Sequence, residues 1–205
     1  MARPRTFSDD DLLAAARRVL LDRGPQGFTL TDAADAAGIS RPALIQRFGS
    51  REALLRALAL RETETLAADL AALPPDRGRK GTWLFLTDLA LRMEAGAAPA
   101  SRAAMVAVEA ADPELARLAA ERDRMLREAI EQRLPGDAPE GTAALLQAII
   151  GGAALQWAAR PEGALADLLL IRLRGHLGVL WPRQALALPG AEEADQAASS
   201  TQTGT

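Results

Sequence analysis

The sequence predicts an all-α protein of about nine helices, with a small three-helix head followed by a larger helical body. Three observations carry that expectation. Alanine, leucine and arginine dominate the 205 residues while aromatics make up only 3%, a composition that suits helix. Apolar residues recur three and four positions apart in one segment after another. Most segments open on Ser, Thr, Asp or Pro and close near Gly or Pro, the ordinary start and stop signals.

Composition also narrows the chemistry. Cysteine is absent and histidine occurs once, which leaves no disulfide framework, no thiolate site and no multi-histidine metal site. No nucleophile–base pair stands out, so neither an enzyme nor a cofactor or metal is expected. The start MARPRTF lacks the apolar core of a signal peptide. The most apolar run, Ala143 to Ala159, carries Gln147 and Gln156 and falls short of the roughly 20 residues that span a bilayer. A cytoplasmic protein with no membrane partner is expected. The net charge is −3, but it is unevenly spread: residues 1–60 hold nine arginines against seven acids, whereas the rest holds fifteen basic against twenty acidic residues. A mildly positive head on an acidic body can still dock on a polyanion, because only the docking face must be positive.

The elements follow in order. Arg3 and Arg5 flank Pro4 in an extended arm suited to phosphate or minor-groove contact. Ser8 caps the first helix with Asp11 closing a capping box, and Phe7 can staple onto Leu12. Leu12, Leu13, Ala16, Val19 and Leu20 give that helix one buried face, and Gly24-Pro25 stops it. Thr29 and Asp32 form a second capping box before the alanine-rich run to Ala37. Gly38 ends this helix in the left-handed conformation, and Ile39 plugs the turn. Ser40 caps a helix over Arg41 to Phe48. Pro42 has no N–H, so the Ser40 hydroxyl must take its bond from Ala43. Leu44 and Phe48, four apart, point inward, which leaves Arg41, Pro42, Ala43, Gln46 and Arg47 on the outer side or at the exposed start. Arginine bonds guanine, glutamine bonds adenine and a methyl touches thymine, so this face can read bases in a major groove. Gly49 closes the helix and Ser50 caps the next. Two short helices joined by a tight turn, the second presented outward, make a helix-turn-helix.

The string T-x-T-D-x-A-x-x-A-G-I-S-R-P-A-L-x-x-R-F-x-S-R-E-x-L-L resembles the TetR family of bacterial transcriptional regulators, over about residues 7–58. The resemblance implies base-facing roles for Arg41, Pro42, Ala43, Gln46 and Arg47, with Thr31 approaching from the preceding helix. Thr29 and Arg51 are expected at phosphates, Arg51 standing where the family usually has lysine. One residue departs from the pattern: the family usually places tyrosine where this chain has Ile45, and there is no tyrosine in the sequence.

The body carries less specific signals. A long helix from Ser50 to about Leu73 ends before Pro74-Pro75, and Pro74 to Gly81 reads as a loop. Helices then follow over about Thr82–Ala95, Ser101–Ala111, Asp112–Leu134, Pro139–Ala159 and Pro161–Trp181. The expected division is 1–55 for DNA, 56–182 for ligand binding and dimerisation, and 183–205 as a disordered tail. Trp83, Leu86, Met93, Met105, Glu109, Met125 and Trp157 are the candidates to line an apolar effector pocket, which the resemblance favours. The last two helices read as half of a four-helix interface completed by a second copy. Its candidate residues are Ile149, Gly152, Gln156, Leu169, Leu173, His176 and Leu180. The function expected is a homodimeric repressor, released from a palindromic operator on double-stranded DNA by a small-molecule effector. A structural or division-associated DNA-binding protein on the same fold, with no effector, is the alternative.

Overall fold

The structure, a computed structural model, describes residues 8–95 and 99–182. Arg3, Arg5, the Phe7 staple and the expected tail lie outside those residues. As expected, the fold is all-α, with nine helices among the described residues: α1 (Asp9–Gly27), α2 (Leu30–Ala37), α3 (Arg41–Phe48), α4 (Arg51–Ala72), α5 (Gly78–Ala95), α6 (Pro99–Ala111), α7 (Pro113–Glu131), α8 (Thr142–Ala159) and α9 (Leu165–Leu180). They form two compact units, Met1–Ala72 with Ala98–Leu126, and Leu73–Ala97 with Arg127–Thr205.

In the first unit the helix starts are fixed by short-range chemistry. Ser8 and Asp11 exchange both bonds of a capping box, each at 3.1 Å. Gly24 breaks the helical path of α1 with φ 68°, and one further turn follows from Pro25. Ala16, Leu20, Phe28, Ala33, Ala34, Leu44, Leu54, Leu55 and Leu58 form one buried cluster, so α1 to α4 share a core. Met105 and Val108 of α6 also pack on that cluster. A smaller cluster of Ala59, Leu115 and Leu118 ties α4 to α7.

Polar contacts lock the same elements. Arg122 donates to Ala59 O, to the Thr63 hydroxyl at 3.2 Å and to the Glu109 carboxylate. Asp112 caps α7, its Oδ1 accepting from Glu114 N at 2.9 Å and Leu115 N at 3.2 Å. Its Oδ2 takes two bonds from Arg56, at 3.0 and 2.8 Å. The Arg56 guanidinium holds the Asp112 carboxyl below its ordinary value, and the two backbone donors add to this. A carboxyl held low in the folded chain contributes stability above its unfolded value of about 4, and that contribution is lost as pH falls through the folded value. The urea midpoint should therefore fall with acidification below about pH 4, and it should fall less steeply in Asp112→Asn, as urea titrations in a pH series will read.

In the second unit α9 packs against α5 and α8. Ala164 supplies no side-chain cap to α9. Glu94 on α5 does so instead, its Oε2 accepting from Ala166 N at 2.9 Å, a carboxylate at the positive end of a helix. The loop expected over Pro74 to Gly81 is shorter than the sequence suggested, because α5 already begins at Gly78. Gly81 permits this, since a Cβ there would collide with the Asp76 carbonyl oxygen. Helix α8 buries Ala143, Leu146, Ile150 and Ala153 within the unit. By length and composition it can reach across a bilayer, with mean hydropathy 1.3 over 18 residues; the expectation that it is too short is thus corrected. The buried side is nevertheless core of the unit. The expected burial on two sides is met on one side, leaving Leu145 and Leu155 about half exposed.

Candidate nucleic-acid interface

The interface is assembled on α2, α3 and the start of α4 by caps and one glycine. Thr29 accepts from Asp32 N at 3.1 Å and starts α2. The expected reciprocal box is not completed as it is at Ser8. The Asp32 carboxylate instead takes the Thr29 hydroxyl at 2.6 Å and Arg23 at 2.6 Å. The Thr29 hydroxyl holds the Asp32 carboxyl below its ordinary value, and Arg23 reinforces this. Gly38 ends α2 with φ 70° and ψ 29°, a conformation that costs a residue with a Cβ. Its N–H and that of Ile39 both turn back to the Ala34 carbonyl, and Ile39 packs on the head's core. The Ser40 hydroxyl accepts from Ala43 N at 3.3 Å, the partner that Pro42 dictates. Ser50 accepts from Ala53 N at 3.1 Å and opens α4.

These devices fix the rotation of α3 about its axis. Leu44 is fully buried and Phe48 packs on the core, whereas Arg41, Pro42, Ala43, Gln46 and Arg47 are exposed. Thr29 and Thr31 are exposed as well. The result is an outward row of two arginines, a glutamine and a small alkyl group on a helix whose other side is anchored. Such a row has the donors to bond base edges or phosphates.

The family profile described as bacterial regulatory proteins, tetR family, matches residues 12–58. The head of this chain is a TetR-family head. A curated relative, the HTH-type transcriptional regulator AlkX of Mycobacterium tuberculosis, is 41% identical over 68 residues, covering 33% of this chain and 32% of the relative. The match thus takes in about a third of the curated relatives' length. Solved structures align over far more of the chain. A transcriptional regulator from Rhodococcus sp. Rha1 has 22% identity and a TM-score of 0.65, covering 89% of this chain and all of that one. Thermus thermophilus FadR, a TetR-family repressor in complex with lauroyl-CoA, has 24% identity and a TM-score of 0.50, covering 88% and 99%. At these identities the likeness is one of fold.

Within this TetR-family head, two of the arginines expected at DNA are engaged by the protein itself. Arg51 was expected at a phosphate. Its Nε donates to Phe28 O at 3.0 Å and a terminal nitrogen donates to Pro25 O, so it clamps the end of α1 to the entry of α2. Any phosphate contact stands beside that structural role. Arg47 donates from Nε to Asp9 at the first turn of α1. Nothing in the spacing singled out Asp9, because the two residues are 38 positions apart. Ile45, at the position of the usual tyrosine, is half-buried at the edge of the exposed row.

The candidate effector residues are divided between the units. Trp83 and Leu86 are buried on α5, Met93 is half-buried, and Trp157 donates from its indole to Gly163 O at 3.0 Å, all in the second unit. Met105, Glu109 and Met125 belong to the first. Met105 packs on the core of the head, and Glu109 is paired with Arg122.

The candidate interface residues require a correction. Leu169 and Leu173 are fully buried in the core of their own unit and are not available to a second copy. The open face of α9 lies on the other side, where Ile171 is 58% and Val179 80% exposed. Ile149, Gly152 and Gln156 of α8 join Ile171, Gly175 and His176 of α9 in one shallow groove. Leu180 is half-buried at the end of α9. The His176 Nε2 atom is buried with no hydrogen-bond partner among the described residues.

Proposed function

We propose that this chain is a DNA-binding transcriptional regulator that acts as a homodimeric repressor. The observation that carries the reading is the exposed row of Arg41, Ala43, Gln46 and Arg47 on a helix held by Leu44 and Phe48. Residues 1–55 bind DNA and 56–182 hold the effector and the partner subunit. An eight-residue helix reads few bases, so two heads set about 34–36 Å apart read a palindrome in successive major grooves. The apolar face of α8 and α9 supports pairing, since a monomer rarely leaves such a face uncovered. An apolar small-molecule effector weakens operator binding from within the cytoplasm; the lauroyl chain of the lauroyl-CoA in complex with FadR is a precedent for an apolar group bound by such a fold.

Selection from a randomised duplex pool tests the reading. The wild-type chain should enrich a palindrome. Gln46→Ala and Arg47→Ala should each relax the choice at one position per half-site, by about 1–3 kcal/mol. Variants that enrich the same sequence as wild type would take α3 out of the groove. Enrichment of many unrelated sequences, with no compound that releases them, would favour a structural DNA-binding protein.

A further inference from the structure

The first turn of α1 is packed beside the last turn of α3. Leu12 and Ala15 of α1 are buried with Ala37, and both Ile39 and Phe48 pack on that cluster. Phe48 is the last residue of α3, so its neighbour Arg47 emerges next to the start of α1. There Asp9 accepts the Arg47 Nε. The pair is open to water, with 42% of the arginine side chain and 60% of the aspartate side chain exposed.

The location of this carboxylate asks for an explanation. It stands on the face offered to a polyanion, where a negative charge weakens binding. It is not the cap of α1, because Ser8 and Asp11 provide that. Its neighbour Asp10 pairs elsewhere, with Arg61 at 3.3 Å. An exposed ion pair contributes little to stability. The first turn of a helix favours an acid, but Asp10 and Asp11 already stand there beside Asp9, so folding accounts for an acid in this turn and not for its pairing with Arg47.

We infer that Asp9 is a positioning residue that keeps Arg47 on base edges and off phosphates. This rests on the reading of α3 as the DNA-facing helix. A long arginine side chain has two competing anionic or acceptor targets on a duplex. Phosphate is everywhere and carries no sequence, whereas guanine O6 and N7 occur only at some steps. A carboxylate on Nε fixes the plane of the guanidinium and repels the phosphate-directed arrangement. Asp9 thereby lowers affinity for any DNA while raising the ratio of specific to non-specific binding.

The test measures affinity for the selected palindrome and for a scrambled duplex across a salt series. Asp9→Asn should tighten scrambled-duplex binding and lower the specific-to-nonspecific ratio, by about three- to tenfold, since a base contact is partly traded for a phosphate contact. The slope of log affinity against log salt should steepen by about one for each arginine that moves to phosphate. Both changes should disappear in an Arg47→Ala background, and Asp9→Glu should restore the ratio in part. Circular dichroism of Asp9→Asn should match wild type. Equal tightening on both duplexes, or a change that persists without Arg47, would overturn the inference by making Asp9 a charge alone. If Arg47→Ala itself leaves the ratio unchanged while wild type still discriminates, the assignment of Arg47 fails, and the inference fails with it. A wild-type chain that discriminates nothing would overturn the DNA reading itself.

Discussion

Replacing Arg133 with alanine should destabilise the chain by about 3–5 kcal/mol, the scale at which a buried, multiply bonded charge is lost. Arg133 is 6% exposed. Its Nε donates to Pro74 O at 2.6 Å, one terminal nitrogen to Ala129 O at 2.8 Å, and the other to Leu73 O at 3.3 Å. Its guanidinium carbon sits 4.2 Å from the centre of the Phe85 ring. No carboxylate is among these partners; three carbonyls and a π face receive the charge, and burial pushes the guanidinium below its ordinary value. An arginine still remains protonated there, so two effects oppose each other. Removing the side chain relieves the cost of a desolvated cation. It also leaves three carbonyls without that donor and opens a cavity against Phe85. The second effect wins because each buried acceptor left unpaired costs about 1–3 kcal/mol. Arg133→Met fills the space without donors and should still lose about 1–3 kcal/mol on the same ground. Arg133→Lys keeps a charge but not the planar fork and should recover less than half of the alanine loss. Urea unfolding at neutral pH provides the readout. An alanine variant within about 1 kcal/mol of wild type would mean that water takes over the carbonyls.

Arg133 also marks the limit of what was legible in the sequence. Features set within four residues could be read. The Ser8 box, the Ser40 bond to Ala43 forced by Pro42, the left-handed Gly38 and the bounds of α3 all follow from neighbours along the chain. The inward side of α3 follows too, because Leu44 and Phe48 are large apolar residues four apart and so share one face. Contacts between residues far apart left no such trace. Arg133 bonds carbonyls 59 and 60 positions away, Arg56 meets Asp112 across 56 positions, and Arg47 meets Asp9 across 38. In the sequence each is one arginine among many, indistinguishable from a solvated surface charge.

Helix α9 was legible as a helix but not in its orientation. Two stripes run along it. Leu165, Leu169, Leu173 and Leu177 form one, and Leu168, Ile171, Gly175 and Val179 form the other. Both are apolar at helical spacing, so periodicity alone cannot say which faces the unit's own core. The structure buries the first and leaves Ile171 and Val179 of the second open. The same ambiguity on α8 follows from its being apolar nearly all round.

That difference between the stripes sets the second large effect. Gly152→Glu should yield a monomer that keeps its helices and loses its operator. Gly152 lies in the groove with Ile149, Ile171, Gly175 and His176, and a Cβ built on it meets nothing within 4 Å. The single chain can therefore accept the substitution. It even gains about 0.5–1 kcal/mol from replacing glycine inside a helix. A second copy seated on the groove changes the balance, because two carboxylates related by the twofold axis would be taken out of water, each with Arg172 as the one guanidinium in the groove's lining. Even a buried carboxylate that gains such a partner can lose more in desolvation than it recovers, and one left off ideal geometry costs several kcal/mol, more than the helix gain. Sedimentation should show the shift to monomer, and circular dichroism should show unchanged helix content. Binding to the palindrome should collapse, since one head reads only one half-site. Leu173→Ala makes the opposite prediction: its side chain lies in the core of its own unit, so the loss of about 2–5 kcal/mol should fall on the unfolding of the chain. If Gly152→Glu remains dimeric with wild-type operator affinity while Leu173→Ala dissociates, the two stripes have been assigned the wrong way round.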